Sequence, residues 1–95
     1  MEQSGAEHQR PHMVGFLLVP DFSMIAFASA VEPLRIANRL AGRELYGWPV
    51  IAKDGGAVRA SNGIVIAPDM STAEVQRASA YSRPLDMVVV CAGIN

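Results

Sequence analysis

The chain has 95 residues, of which 51% are hydrophobic and 18% are charged, and its formal net charge is -1. This composition is typical of one soluble globular domain, and it excludes the clustered basic surface that nonspecific nucleic-acid binding needs. The single cysteine, Cys91, excludes an internal disulfide and a multi-cysteine zinc site, so we expect no metal, no cofactor and a reducing compartment, the cytoplasm.

The N-terminal segment, residues 1–12, is polar and is predicted to be a disordered tail. It contains both histidines, His8 and His12. Residues 13–19 are then apolar without alternation, as in a strand that helices cover on both faces. Pro20 ends this run, and the interruption excludes a membrane span, which needs about 20 successive apolar residues.

A long helix is predicted to begin at Met24, where the apolar period changes from two to about 3.6. The side chain of either Asp21 or Ser23 can cap its first free amides. Gly42 is a natural stop signal. Pro33 removes one backbone hydrogen bond, so we expect a kink or the start of a second segment there.

The predicted helix has two apolar stripes and one polar face. The small stripe consists of Ala26, Ala30, Pro33, Ala37 and Ala41. The bulky stripe beside it consists of Met24, Phe27, Val31 and Leu34. The opposite, polar face holds Glu32, Arg35, Arg39 and Arg43. We interpret it as a solvated surface on which Glu32 pairs with Arg35 or Arg39. The small stripe packs either on its own sheet, which we favour, or on a second subunit.

A second strand is predicted for residues 45–52, with Trp48 as a large core or edge residue. Pro49 favours an edge position or a bulge for this strand. Residues 54–56, Asp-Gly-Gly, form a turn. A short hairpin follows, with strands at residues 57–60 and 64–67 joined by a turn that contains Asn62 and Gly63.

A second helix is predicted from Ser71 or Thr72 to Ala80, with Ser71 and Glu74 as a capping box. Residues 85–91 are another apolar strand, and residues 92–95 form the loop at its end. The order of elements indicates an α/β three-layer sandwich with a parallel sheet and right-handed crossovers.

Ligands in such folds bind beyond the carboxyl ends of the strands. In this chain the two loops expected there are residues 20–23 and 91–93. The candidate ligand-binding residues are therefore Asp21, Phe22, Ser23, Cys91, Ala92 and Gly93.

Three runs carry a family resemblance: LLVPDFSMIAFASAVEPLRIANRLAG, YGWPVIAKDGGAVRASNGIVIAPD and LDMVVVCAG. They resemble the N-terminal part of AraC-family transcriptional regulators whose sensor is a class I glutamine amidotransferase-like (PfpI-like) domain. Within that group the chain is most similar to regulators of the catabolism of betaine, carnitine or arginine. The resemblance covers residues 13–95.

The resemblance implies a flavodoxin-like sensor fold, of which residues 13–95 would be the first half. It also implies a small-molecule effector, a homodimer, and DNA binding through two helix-turn-helix motifs in a C-terminal domain. We expect that domain and the second half of the sensor to be absent from this chain, which resembles a truncated regulator.

PfpI-like enzymes use a cysteine on a strained elbow and an acidic residue from the first helix. Cys91 does not match that nucleophile well. Val89 stands where a sharp elbow needs a small residue, no helix follows in this sequence, and no histidine lies in residues 13–95. The position that carries the acidic residue in the enzymes falls at or next to Ala26. We interpret Cys91 as a buried cysteine at a strand end and assign no catalytic residue.

The leading hypothesis is a non-catalytic, effector-sensing and dimerisation part of a transcriptional regulator. The alternative is a PfpI-like cysteine hydrolase or amidase. A third interpretation is a fragment with no activity of its own.

Overall fold

The computed structural model describes residues 10–81 and 84–93. Its helices are α1, Met24–Ala41, and α2, Thr72–Tyr81. Its strands are β1 His12–Leu18, β2 Tyr46–Gly47, β3 Val50–Ala52, β4 Val58–Arg59, β5 Val65–Ile66, β6 Met70–Ser71 and β7 Met87–Cys91. Most of the predicted tail and the end of the predicted C-terminal loop lie outside the described residues. The last tail residue, His12, belongs to β1, so the predicted strand boundary was one residue late.

The central strand of the sheet is β1, and every pairing within that sheet is parallel. On one edge β1 pairs with β2 and β3, and on the other edge it pairs with β7. Strand β6 pairs with β3, which gives the order β6, β3, β1, β7 across the sheet. Strands β4 and β5 form a separate antiparallel hairpin.

One face of the sheet packs against α1. The ring of Phe16 on β1 meets the ring of Phe27 on α1 edge to face, with centroids 5.8 Å apart. Phe27 meets Phe22 in the same geometry at 5.8 Å. The bulky stripe packs here, in the place that we expected for the small stripe. The core of this face contains Val14, Phe16, Leu18, Phe22, Ala52, Val58, Ala60 and Cys91.

Helix α2 lies on the other face of the sheet and covers it only in part, since Val88 and Val90 of β7 on that face are 51% and 60% exposed. At Gly15 of β1 a side chain would face this side, because a Cβ built there would lie 2.8 Å from Ile51 Cδ1 and 2.6 Å from Leu85 Cδ1. Val75 and Ala78 of α2 border a cavity together with Leu85 on the same side. The helices therefore lie on opposite faces, and the predicted three-layer α/β sandwich is confirmed. The strand order is that of the first part of a doubly wound, flavodoxin-like sheet.

Helix α1 begins and ends as its sequence signals require. The Oγ of Ser23 accepts a hydrogen bond from the amide of Ala26 at 3.3 Å, so Ser23 is the cap and the alternative, Asp21, was wrong. Gly42 adopts the left-handed conformation with φ 70°, and its amide donates to the carbonyls of Asn38 and Arg39.

Helix α1 continues through Pro33 as one 18-residue element, so the predicted second segment does not form. Pro33 lies on the exposed side, where water can satisfy the carbonyl that lacks its amide partner.

The predicted polar face of α1 covers only one flank of its outer side. Glu32 pairs with Arg35 there, as predicted, through bonds of 2.6 and 2.9 Å. Three exposed aliphatic side chains, Ile25, Ile36 and Leu40, share the outer side with these charged residues. Of the small stripe, Ala30 packs against the core, whereas Ala26 and Ala41 are exposed.

The predicted strand at residues 45–52 is broken into β2 and β3 at Trp48 and Pro49. The register does not change across the break, since Tyr46 lies opposite His12 and Val50 lies opposite Phe16. The predicted bulge is therefore wrong. The predicted edge position holds for β2, which among the described strands pairs only with β1, and it is wrong for β3, which lies between β1 and β6. Pro49 interrupts the pairing simply because it has no amide hydrogen.

The hairpin and the second helix follow their predicted signals. Gly63 has φ 90° in the hairpin turn, although the strands are shorter than predicted. Glu74 Oε1 accepts from the Ser71 amide at 2.8 Å, and Ser71 Oγ accepts from the Glu74 amide at 3.1 Å, so the capping box is confirmed. The short strand β6, which ends at Ser71, was not predicted.

Candidate functional site

Two loops meet at the carboxyl end of the sheet, as their positions in the sequence predict. The amide of Val19 donates to the carbonyl of Cys91 at 3.0 Å, where β1 and β7 end side by side. The amide of Ser23 then donates to the carbonyl of Ala92 at 3.1 Å. The start of α1 is therefore attached directly to the end of β7.

The contact between Gly93 and Asp21 is so close that only glycine fits. A Cβ built on Gly93 would overlap the carbonyl oxygen of Asp21 and would also lie 3.5 Å from the carbonyl carbon of Phe22. Because the obstacle is main chain, it cannot move aside as a flexible side chain does. Gly93 thus sets the distance between the two loops.

The hairpin forms a third wall of this site, which the sequence did not reveal. The amide of Asp21 donates to the carbonyl of Arg59 at 2.8 Å, and the amide of Ser61 donates to the carbonyl of Phe22 at 2.9 Å. Phe22 and Ala60 form an isolated parallel bridge between these bonds. We call this group of two loops and hairpin the strand-end cluster.

Asp21 has φ 68°, in the left-handed region that few non-glycine residues enter. Aspartate and asparagine tolerate this conformation better than most side chains. The bonds from the hairpin and the contact with Gly93 hold the loop in it. The main chain of Asp21 is therefore held in the loop by its neighbours, and Asp21 is not the helix cap.

The six predicted site residues differ in how far they are buried. Phe22 is 0% exposed and Cys91 is 6% exposed, so both belong to the core. The hydroxyl of Ser23 is engaged at the helix cap. The remaining three, Asp21, Ala92 and Gly93, are exposed. A ligand at this edge would therefore meet the carboxylate of Asp21 and the main chain of residues 92–93.

The surroundings of the Cys91 thiol do not favour its action as a nucleophile. Burial raises its pKa above the ordinary value, whereas a nucleophilic thiol needs a lowered pKa. His12 stands at the start of β1, while Cys91 lies opposite Leu18 at the far end of that strand. Ala26 is in the first turn of α1, which contains no acidic residue. Among the described residues, neither a base nor an acid stands beside this thiol.

The cavities lie at the opposite end of the sheet. A cavity of about 740 Å³ is bordered mainly by apolar side chains, among them Met13, Met70 and Leu85, with Arg10 and Glu44 also in its wall. A smaller one of about 300 Å³ adjoins it beside Trp48 and Asp69. Neither contains a predicted site residue. In the described part of the chain, no helix is long and apolar enough to span a bilayer.

Similar proteins are found among transcriptional regulators. The chain is 47% identical over 89 residues to the HTH-type transcriptional regulator GbdR of Pseudomonas aeruginosa, which covers 94% of this chain and 22% of GbdR. The HTH-type transcriptional regulator CdhR of the same species is 56% identical over 54 residues, 57% of this chain and 16% of CdhR. The HTH-type transcriptional regulator GlxA of Rhizobium meliloti is 43% identical over 63 residues, 66% of this chain and 19% of GlxA. No protein-family profile matches the chain.

A solved structure shares the fold. The crystal structure of an AraC family transcriptional regulator from Pseudomonas putida superimposes with a TM-score of 0.73 at 29% identity, over 90% of this chain and 42% of that chain. The chain thus spans less than half of that structure, and 22% of the length of GbdR.

Proposed function

The homologues of this chain are AraC-family transcriptional regulators, and on that premise we propose that it is the effector-sensing part of such a regulator. The observation that carries the proposal is the strand-end cluster, in which the hairpin and the end of β7 hold the main chain of Asp21 while its carboxylate is exposed. DNA binding is assigned to sequence outside this chain, whose net charge of -1 gives no basic surface.

The effector class we propose is a small nitrogenous metabolite of the betaine, carnitine or amino-acid type. The carboxylate of Asp21 is a suitable partner for an ammonium or quaternary ammonium group. The main chain of Asp21 is already held by its neighbours, so ligand binding does not have to order this loop.

The cluster also gives a route by which binding can be transmitted. Asp21 is two residues before Ser23, the cap of α1, and its own amide is bonded to Arg59 of the hairpin. A ligand that shifts the loop would therefore act on both α1 and the hairpin. Such coupling requires different ligand contacts in the two arrangements.

The proposed role is non-catalytic. A PfpI-like cysteine hydrolase or amidase, the alternative, requires a thiolate that forms readily and a group that deprotonates it. Burial moves the pKa of Cys91 in the opposite direction, and Ala26 cannot take a proton.

Isothermal titration of the full-length protein with betaine, carnitine and arginine tests the proposal. We expect heat with at least one of them, and a loss of affinity of about tenfold or more in Asp21→Asn. Asparagine preserves the shape and tolerates the left-handed conformation, so this variant should fold.

The matched control for this titration is Glu44→Gln, which removes an exposed carboxylate at the opposite end of the sheet, beside the cavity there. It should leave the affinity unchanged. No heat with any of the three compounds, together with measurable hydrolase activity, would refute the proposal.

A further inference from the structure

Arg59 is an exposed cation in the hairpin wall of the strand-end cluster. Its carbonyl accepts the hydrogen bond from the amide of Asp21 at 2.8 Å, so the two residues adjoin through their main chains. They are also neighbours in register, because each directly precedes one member of the bridge between Phe22 and Ala60. Since adjacent strands lie about 5 Å apart, the side chains of Asp21 and Arg59 begin at neighbouring positions on the surface of the cluster.

The burial pattern places both charges on the solvent side of the cluster. Phe22 and Ala60 are buried in the core. Asp21 and Arg59, one residue before each of them, are exposed. Val58, which precedes Arg59, is buried again, as the alternation of a strand requires. A ligand that reaches the carboxylate of Asp21 therefore approaches on the side that carries Arg59.

The two opposite charges do not neutralise each other. No ion pair or hydrogen bond joins their side chains, and neither side chain has another such partner among the described residues. The guanidinium of Arg59 instead lies over the hairpin turn, where its Nη2 would be 3.3 Å from a Cβ built on Gly63. The cluster thus presents an anionic and a cationic group next to each other, and each retains its hydrogen-bonding capacity for a ligand.

We propose that Arg59 recognises the carboxylate of a zwitterionic effector, while Asp21 binds its ammonium or quaternary ammonium group. A guanidinium binds a carboxylate through two parallel hydrogen bonds, and a carboxylate attracts a cation. The inference rests on the proposed function, because it concerns the same effector at the same site. It adds a residue that determines specificity, since Arg59 selects ligands that carry a carboxylate over simple cations.

A simple cation is disfavoured at this pair of groups. It gains the attraction of Asp21, but it also lies near the positive charge of Arg59 and has no group to bind it. The carboxylate of a zwitterion converts this repulsion into attraction. Removal of the guanidinium should therefore weaken the binding of a zwitterion and leave a simple cation bound as well as before, or better.

Isothermal titration of the full-length protein at constant ionic strength tests the role of Arg59. Each zwitterion is paired with an analogue that lacks the carboxylate: choline for betaine, carnitinamide for carnitine and agmatine for arginine. For a zwitterion that gives heat with the wild type, we expect the analogue to bind about tenfold more weakly. Arg59→Gln should weaken the zwitterion by about tenfold or more and should weaken the analogue by no more than about twofold.

Three further variants make the assignment specific. Arg59→Lys retains the positive charge but not the paired hydrogen bonds, so its affinity for the zwitterion should lie between those of the wild type and Arg59→Gln. Asp21→Asn should weaken the zwitterion and its analogue alike, because both carry the cationic group. Arg43→Gln is the matched control, since it removes an exposed arginine beyond the end of α1 at Gly42, and it should change neither affinity.

Three outcomes would overturn the inference and leave the proposed function standing, because the wild type still binds in each. They are an affinity for the zwitterion that Arg59→Gln leaves unchanged, an equal loss for the zwitterion and its analogue in that variant, and an analogue that binds the wild type as tightly as the zwitterion does. No heat with any of the three zwitterions would overturn the inference through the proposed function on which it rests. Circular dichroism of each variant separates lost binding from unfolding.

Discussion

Met13 and Asp86 are joined by two reciprocal hydrogen bonds. The amide of Met13 donates to Oδ2 of Asp86 at 2.7 Å, and the amide of Asp86 donates to the carbonyl of Met13 at 2.8 Å. Val50 and Asp69 repeat the arrangement with two bonds of 2.7 Å. Each aspartate directly precedes a strand, β7 or β6, that joins a neighbouring strand. Its carboxylate therefore fixes where the incoming strand begins to pair.

Asp86→Ala should lower the free energy of unfolding by about 1–2 kcal/mol, because it leaves the Met13 amide without its charged acceptor. Asp69→Ala should have an effect of similar size, through Val50. The control is Asp54→Ala, since that carboxylate accepts from Gly56 within its own turn and determines no strand register. Urea denaturation of the three variants checks the prediction, and equal effects in all three would contradict it.

Asn38 attaches the end of α1 to β2. Its Oδ1 accepts from the amides of Leu45 and Tyr46 at 2.7 and 2.9 Å, and its Nδ2 donates to the carbonyl of Tyr46 at 3.0 Å. Asn38→Ala removes all three partly buried bonds, so we expect a loss of about 1–3 kcal/mol in urea denaturation.

Two further variants make the Asn38 prediction specific. Asn38→Asp retains the two acceptor bonds and should lose less stability than Asn38→Ala. Asn62→Ala, which removes one exposed bond to Ile64 in the hairpin turn, should cost the least. A different ranking would show that the helix end is held by other contacts.

The elements predicted correctly are those with local causes. Each of them depends on residues that are close in sequence. They are the unbroken apolar run of β1, the end of α1 at Gly42, and the capping box of Ser71 and Glu74. Asp21 and Ser23 are equally good caps by residue type, so the sequence could not choose between them. The choice depends on the carbonyl of Arg59, which is distant in the sequence.

The features that the sequence missed are long-range. The hairpin wall of the strand-end cluster arises from a bridge between Phe22 and Ala60, and no local pattern marks it. The exposed aliphatic side chains on the outer side of α1 were overlooked because its charged residues were interpreted as the whole solvated face. The exposures of Ile25 and Leu40 were needed to separate the two.

Cys91 should react slowly with iodoacetamide, and its rate should still be rising above pH 8.5. The reason is that burial raises the pKa of the thiol above its ordinary value of about 8.5, so the thiolate forms only at higher pH and access is restricted. The same raised pKa makes the stability of the folded state depend on pH. The folded state retains the thiol proton longer than the unfolded state, so stability declines as pH rises past the unfolded pKa.

Labelling followed by mass spectrometry measures this rate, and the same protein in urea gives the rate of an accessible thiol. Cys91→Ser should abolish the labelling. Fast labelling at pH 6 to 7 in the folded state would instead favour the hydrolase or amidase alternative.

Ala30→Glu should unfold the protein rather than dissociate a dimer. Ala30 is half-buried against the core, so a carboxylate there would lose water without gaining a partner, at a cost of about 2–4 kcal/mol. Ala26→Glu is the matched control, one turn earlier on the same small stripe but exposed. An acidic residue in the first turn should leave stability unchanged or raise it by about 0.3–1 kcal/mol. Thermal unfolding distinguishes the two variants, and a folded monomer of Ala30→Glu would mean that the small stripe faces a second subunit.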